Sequence, residues 1–150
     1  MFFGETAINL DAKGRLAVPT RYREELEEEC GNRLVLTYSA FDAGCLWLYP
    51  YPEWERIRDE VMGLSTFNAS HRSLQRRLVG SATQFELDSN SRILLPLTLR
   101  QVAGLEKRAV FMGMGQRFEI WNEDILNERR AVEEREIQDQ ASPEMAQLVL

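Results

Sequence analysis

Leu10-Asp11-Ala12-Lys13-Gly14-Arg15-Leu16-Ala17-Val18-Pro19-Thr20-Arg21-Tyr22-Arg23 has a second version in the same chain, 77 positions later. It reads Leu87-Asp88-Ser89-Asn90-Ser91-Arg92-Ile93-Leu94-Leu95-Pro96-Leu97-Thr98-Leu99-Arg100. Leu, Asp, Arg, Pro and the final Arg are identical, and Leu16/Ile93 and Val18/Leu95 match in character. Further on, Arg33-Leu34-Val35-Leu36 resembles Arg108-Ala109-Val110-Phe111, and Leu46-Trp47-Leu48-Tyr49 resembles Phe118-Glu119-Ile120-Trp121. An ordered series of matches with a small drift in spacing is the mark of a tandem duplication with minor loop deletions.

Both copies follow one grammar. A strand ends at Leu10 or Leu87 and a tight turn follows. A short strand, Leu16–Val18 or Ile93–Leu95, then stops at a proline, which cannot donate to a ladder. A short helix comes next, with Thr20 or Thr98 expected as its cap. The first of these helices, about Arg21–Glu29, should stop near Gly31, with an end frayed by Glu27-Glu28-Glu29. Strands near 33–38 and 45–49, with counterparts near 108–113 and 117–121, complete the copies. Amphipathic helices follow: one over 52–61 with Trp54, Ile57 and Val61 on one face, one over Ser70–Val79, and one capped by Asn122 and running to about Glu136. Ser142-Pro143 breaks the chain before a weakly ordered tail. The organisation expected is a first repeat with its helices over 1–77, a second over 78–143, and a flexible tail over 144–150.

The repeated turn admits two readings. Asp at the first position accepts backbone hydrogen bonds and Gly14 at the fourth can take the left-handed conformation, so Asp11 and Gly14 make sense as turn chemistry alone. In the second copy Ser91 stands at the glycine position, where a serine is costly; Asn90 tolerates that conformation better, so a differently built turn is expected. A turn does not require an arginine next, yet Arg15 and Arg92 both occur there. Held by a bidentate pair with the aspartate four residues earlier, such a guanidinium suits phosphate or guanine recognition. The alternative is a surface ion pair worth little.

Composition bounds the rest. The 150 residues are 44% hydrophobic and 28% charged, enough for a packed core. No apolar run approaches the roughly 20 residues of a membrane span, and no secretory leader follows Met1, so a soluble cytoplasmic protein is expected. The net charge of −6 weighs against a generic nucleic-acid coat but does not exclude a local basic patch. Cys30, Cys45 and the single His71 lack metal-ligand spacing, so neither a metal nor another cofactor is expected. Neither a Ser–His–Asp or Cys–His arrangement nor a glycine-rich phosphate loop is present, so an enzyme is not expected. Arg72, Arg76 and Arg77 could form a second DNA contact or a solvated face. Trp47, Trp54 and Trp121 read as core or subunit contacts. Arg23 and Arg100, inside the short helices, should form salt bridges.

Met1-Phe2-Phe3-Gly4-Glu5, Leu10 to Pro19, the second Asp88-x-x-x-Arg92, Leu48-Tyr49-Pro50, Gln75-Arg76-Arg77-Leu78 and Arg117-Phe118-Glu119-Ile120-Trp121 together resemble the MraZ family. The resemblance covers nearly the whole chain apart from the tail. It implies an α+β, mainly β fold: a tandem-duplicated, swapped-hairpin β-barrel of the AbrB-like type with flanking helices. It also implies a ring-shaped homo-oligomer, associated with the nucleoid, that binds repeated sites in double-stranded promoter DNA and represses its own division and cell-wall operon. Carried over, its DNA-binding elements are Lys13, Arg15 and Arg92, with Asp11, Gly14 and Asp88 shaping the turns. The rival reading is an AbrB-like oligomerisation or protein-interaction scaffold in which Asp11 and Arg15 form an intersubunit ion pair.

Overall fold

The computed structural model describes all 150 residues. Eight strands are β1 (Phe2–Asn9), β2 (Arg15–Ala17), β3 (Arg33–Tyr38), β4 (Cys45–Pro50), β5 (Thr83–Glu86), β6 (Arg92–Leu94), β7 (Arg108–Gly115) and β8 (Phe118–Asn122). The helices are α1 (Thr20–Cys30), α2 (Tyr51–Met62), α3 (Ala69–Leu78), α4 (Leu97–Val102), α5 (Glu123–Asp139) and α6 (Pro143–Ala146). All pairings are antiparallel, in a six-stranded sheet of order β1-β7-β8-β4-β3-β5 and a two-stranded ribbon of β2 with β6. The fold is therefore mixed α+β on an antiparallel sheet. The sheet ends at β1 and β5, and its ladders close no barrel.

The two copies exchange strands. β1 of the first copy pairs with β7 of the second, and β5 of the second pairs with β3 of the first. β4 and β8 meet at the centre of the sheet, and β2 meets β6 with Leu16 opposite Ile93. A pseudo-two-fold axis thus relates the copies. The strand ends fall where the apolar pattern places them: Leu10 and Leu87 each donate one further hydrogen bond, to Lys107 O at 2.7 Å and Asn32 O at 3.0 Å, before the turns begin.

Apolar surface is buried on both sides of the sheet, and this explains the unbroken apolar run of β4. One side packs Phe2, Leu34, Leu46, Phe111, Phe118 and Ile120 against Leu16 and Ile93 of the ribbon and Leu26 and Leu99 of α1 and α4. The other packs Val35, Trp47 and Trp121 against Trp54 of α2, Leu78 of α3 and Leu126 of α5. The three tryptophans are core residues, and Trp54, Ile57 and Val61 share the inward face of α2 as their spacing predicts.

Several helix ends differ from expectation. Pro19 and Pro96, not Thr20 and Thr98, occupy the cap positions of α1 and α4, and neither offers a side-chain cap. Proline presets φ near the helical value, and its carbonyl starts the ladder, so the threonines fall inside the first turn. The end of α1 is not frayed at the glutamates. It runs on to Cys30, which is buried, and Gly31 closes it at φ +57° with amides returning to Glu27 O and Leu26 O. In the tail, Ser142 caps one helical turn, α6, by accepting from the Met145 amide.

Candidate nucleic-acid interface

Each turn is organised by its aspartate. Asp11 Oδ1 accepts from the amides of Lys13 and Arg15, both at 2.9 Å, and Gly14 donates to Asp11 O at 3.0 Å. Asp88 repeats the pattern: Oδ1 accepts from Asn90 at 2.8 Å and Arg92 at 2.9 Å, and Ser91 donates to Asp88 O at 2.9 Å. These amides hold both carboxyls below the usual Asp value. The Arg15 amide contributes most at Asp11, with the Arg15 and Arg92 charges adding to it, and the Arg92 amide contributes most at Asp88.

The second turn is not built differently, as the serine had suggested. Ser91 itself takes the left-handed conformation at φ +55°, beside Gly14 at +82°. The two turns also brace each other: Leu95 donates to Gly14 O at 3.1 Å, and Val18 donates to Ser91 O at 2.9 Å. Positive φ at serine is tolerated because hydrogen bonds from both copies fix that peptide.

The arginines are held differently from the expected bidentate pair. Arg15 approaches Asp11 Oδ2 through Nε at 3.4 Å, and Arg92 approaches Asp88 Oδ2 through Nε at 3.0 Å. The Nη groups of both guanidiniums are free of protein partners, so each presents a two-pronged donor edge. In the ribbon, Arg15 lies opposite Leu94 and Arg92 opposite Ala17. Leu16 and Ile93 point to the core, so alternation sends Arg15 and Arg92 to the same outer face. They are diagonal neighbours, a relation that places residues roughly 7–8 Å apart. The structure therefore brings Asp11, Lys13, Gly14, Arg15, Asp88 and Arg92 into one patch.

The remaining basic residues fall elsewhere. Arg23 and Arg100 form no salt bridge, contrary to expectation. Arg23 Nε donates to Val18 O at 2.9 Å, and the Arg100 guanidinium lies against Gly14. Sequence spacing gave no sign of this last contact, because it crosses from one copy to the other. Arg72, Arg76 and Arg77 ride on α3, which packs on the far side of the sheet from the ribbon. Arg77 is consumed structurally, donating to Ser39 O at 2.5 Å and stacking on Tyr38 at 4.1 Å. His71 lies beside Ser65 O at 3.1 Å, a local contact in the loop before α3.

No group of three or more His, Cys, Asp or Glu side chains is arranged to hold a metal ion. A cleft of about 520 Å³ has no hydrophobic residue in its lining, which includes Lys107, Asn122 and Asp124. Small-molecule sites are mostly apolar. No helix is long and apolar enough to cross a membrane.

The model of the family described as "MraZ protein, putative antitoxin-like" matches the chain twice, over residues 1–77 and 78–141. The chain belongs to the MraZ family. Among its relatives, a Transcriptional regulator MraZ of Xanthomonas oryzae is 54% identical over 123 residues, 82% of this chain and 83% of that one. Those of Stenotrophomonas maltophilia and Marinobacter nauticus are 55% and 50% identical, over 82% and 84% of this chain and 83% and 84% of theirs. Each of these relatives is named a transcriptional regulator. The paired Asp-x-x-x-Arg turns lie within the two matched spans.

Proposed function

We propose that this MraZ-family chain is a sequence-specific transcriptional regulator that binds repeated sites in promoter DNA through its two Asp-x-x-x-Arg turns and represses its own division and cell-wall operon. The observation that carries this reading is the pair of guanidiniums, each tethered through Nε, with free Nη edges on one outward face. A guanidinium edge pre-oriented in this way matches guanine O6 and N7 in the major groove, or a phosphate. The regulator names of the relatives point the same way.

The acidic balance of the chain fits a modular mode of binding. One molecule offers too few cations for tight phosphate binding, whereas a ring of copies repeats the patch toward repeated DNA sites and gains from effective concentration. Phe3 and Met114, cross-strand partners at the outer edge of the sheet, are 78% and 44% exposed, an apolar spot suited to a neighbouring copy. The exchange of strands between copies supports the AbrB-like swapped-hairpin ancestry, with repeats over 1–77 and 78–143 and a tail over 144–150. The working location of such a regulator is the cytoplasm, on the nucleoid.

Titration of labelled promoter DNA from upstream of the gene, with wild type and Arg15→Ala at equal mass by light scattering, tests this reading. Removing a bidentate arginine from a base edge costs about 1–3 kcal/mol, a weakening of about five- to 150-fold. Wild-type binding that collapses in Arg15→Ala supports the first turn as the point of DNA recognition. Unchanged binding moves recognition away from the turns, toward Arg76. Failure of both proteins to bind favours the interaction scaffold.

A further inference from the structure

Arg100 is the one cation at the turns with no assigned work. It sits on α4 of the second copy, yet its guanidinium rests against Gly14, between Lys13 and Arg15 of the first. A Cβ at position 14 would collide with Arg100 Nη1 and Cζ, so the glycine leaves the room that the arginine fills. The ion pairs of the patch are Asp11 with Arg15 and Asp88 with Arg92, and Arg100 joins neither. It makes no side-chain hydrogen bond and stays partly exposed. This partly exposed guanidinium has no protein anion and no protein acceptor, so its donors beside Lys13 and Arg15 are open to a ligand anion.

The pseudo-symmetric position behaves otherwise. Arg23 is tied to Val18 O of its own copy, and the residue matching Gly14 is Ser91, which carries the Cβ that position 14 lacks. The first turn thus carries Lys13 and Arg15 with one carboxylate, Asp11, and receives Arg100 at Gly14. The second sets Arg92 and Asp88 beside neutral Asn90.

We propose that Arg100 is a third cationic contact of the DNA interface, a phosphate-binding group that the second copy delivers onto the first turn through the space left by Gly14. The first turn becomes the anchoring end of the interface, and the patch has a polarity along DNA that its backbone symmetry hides. This inference rests on the DNA-binding reading above.

The test is the salt dependence of promoter binding for wild type, Arg100→Gln, Arg100→Lys and Arg76→Gln, each checked for an unchanged melting curve and mass. Each cation withdrawn from a phosphate lowers the slope of log K against log salt by about 0.9 on duplex DNA. Arg100→Gln should reduce the slope by about that much, Arg100→Lys should keep most of it, and Arg76→Gln, on the far side of the sheet, should match wild type. Weaker binding by Arg100→Gln with an unchanged slope marks a purely structural arginine and overturns the proposal. An equal slope change in Arg76→Gln, whether from net charge or from a contact on α3, means that the slope does not single out Arg100, and overturns it too. Wild type that binds and loses binding in Arg15→Ala, while Arg100→Gln keeps the full slope, removes this inference and leaves the regulator reading standing. Wild type that does not bind removes both.

Discussion

At the scale of single residues, the two turns share hydrogen bonds but not strain. Ser91 holds φ +55° with a Cβ, a conformation costing an L-residue about 1–2 kcal/mol. Glycine removes that cost but loses about 0.4–1 kcal/mol through the entropy of the unfolded chain. Ser91→Gly should therefore stabilise by up to about 1.5 kcal/mol, a rise of at most about 3–6 °C in melting temperature for a chain of this size. A drop would show that the serine is not strained. Gly14→Ala combines the same strain with collision against Arg100 and should destabilise, read in the same melt. Acid reports on the aspartates. Their folded values lie below the ordinary 3.8, so their contribution is present in full above that pH and fades as the pH falls through the lowered values. Amide shifts of Lys13, Arg15, Asn90 and Arg92 should titrate with midpoints below 3.8, and midpoints at or above it would refute the assignment. The aspartate–arginine spacing was readable in the sequence because a turn is local. The seating of Arg100 was not, because no rule of spacing couples α4 to a turn 86 residues earlier.

At the scale of elements, patterning served well where one face of a helix or strand is buried. Trp54, Ile57 and Val61 located α2, and the prolines located the ends of β2 and β6. Caps served unevenly. Asn122 caps α5 as its residue type predicts, accepting from Ile125 N at 3.0 Å, and it also donates to Gly104 O at 2.7 Å. Thr20 and Thr98 misled because the proline before each had already taken the cap position. Asn122→Ala should cost about 1–2 kcal/mol, near the upper end for a cap, since it cuts the tie to Gly104 as well. Thr20→Ala and Thr98→Ala should cost far less in the same denaturant titration, and a comparable loss there would mean the threonines do cap. Leu16, 1% exposed beneath the ribbon, should cost about 2–5 kcal/mol as alanine.

At the scale of the whole molecule, the duplication was legible and the exchange between its halves was not. Identical residues reveal that two copies exist, but pairing of β1 with β7 rather than β3 is a long-range choice that repeats cannot encode by themselves. The exchange leaves neither half complete: residues 1–77 contain β3 without β5 and β1 without β7. Expressed separately, 1–77 and 78–150 should each lack a cooperative melt as monomers, and mixing them should restore a one-to-one complex that melts cooperatively. A folded, monomeric 1–77 would refute this interdependence.

Because the exchanged strands belong to one polypeptide, their encounter does not depend on how many molecules surround it. Two separate halves would come apart on dilution, whereas covalently joined halves keep the same stability in a cell holding a handful of copies as in a concentrated solution. Fusion also frees the twins from each other. A dimer of identical chains must change both halves at once, but here a single mutation alters one side alone, and the side with lysine and glycine already differs from the side with asparagine and serine.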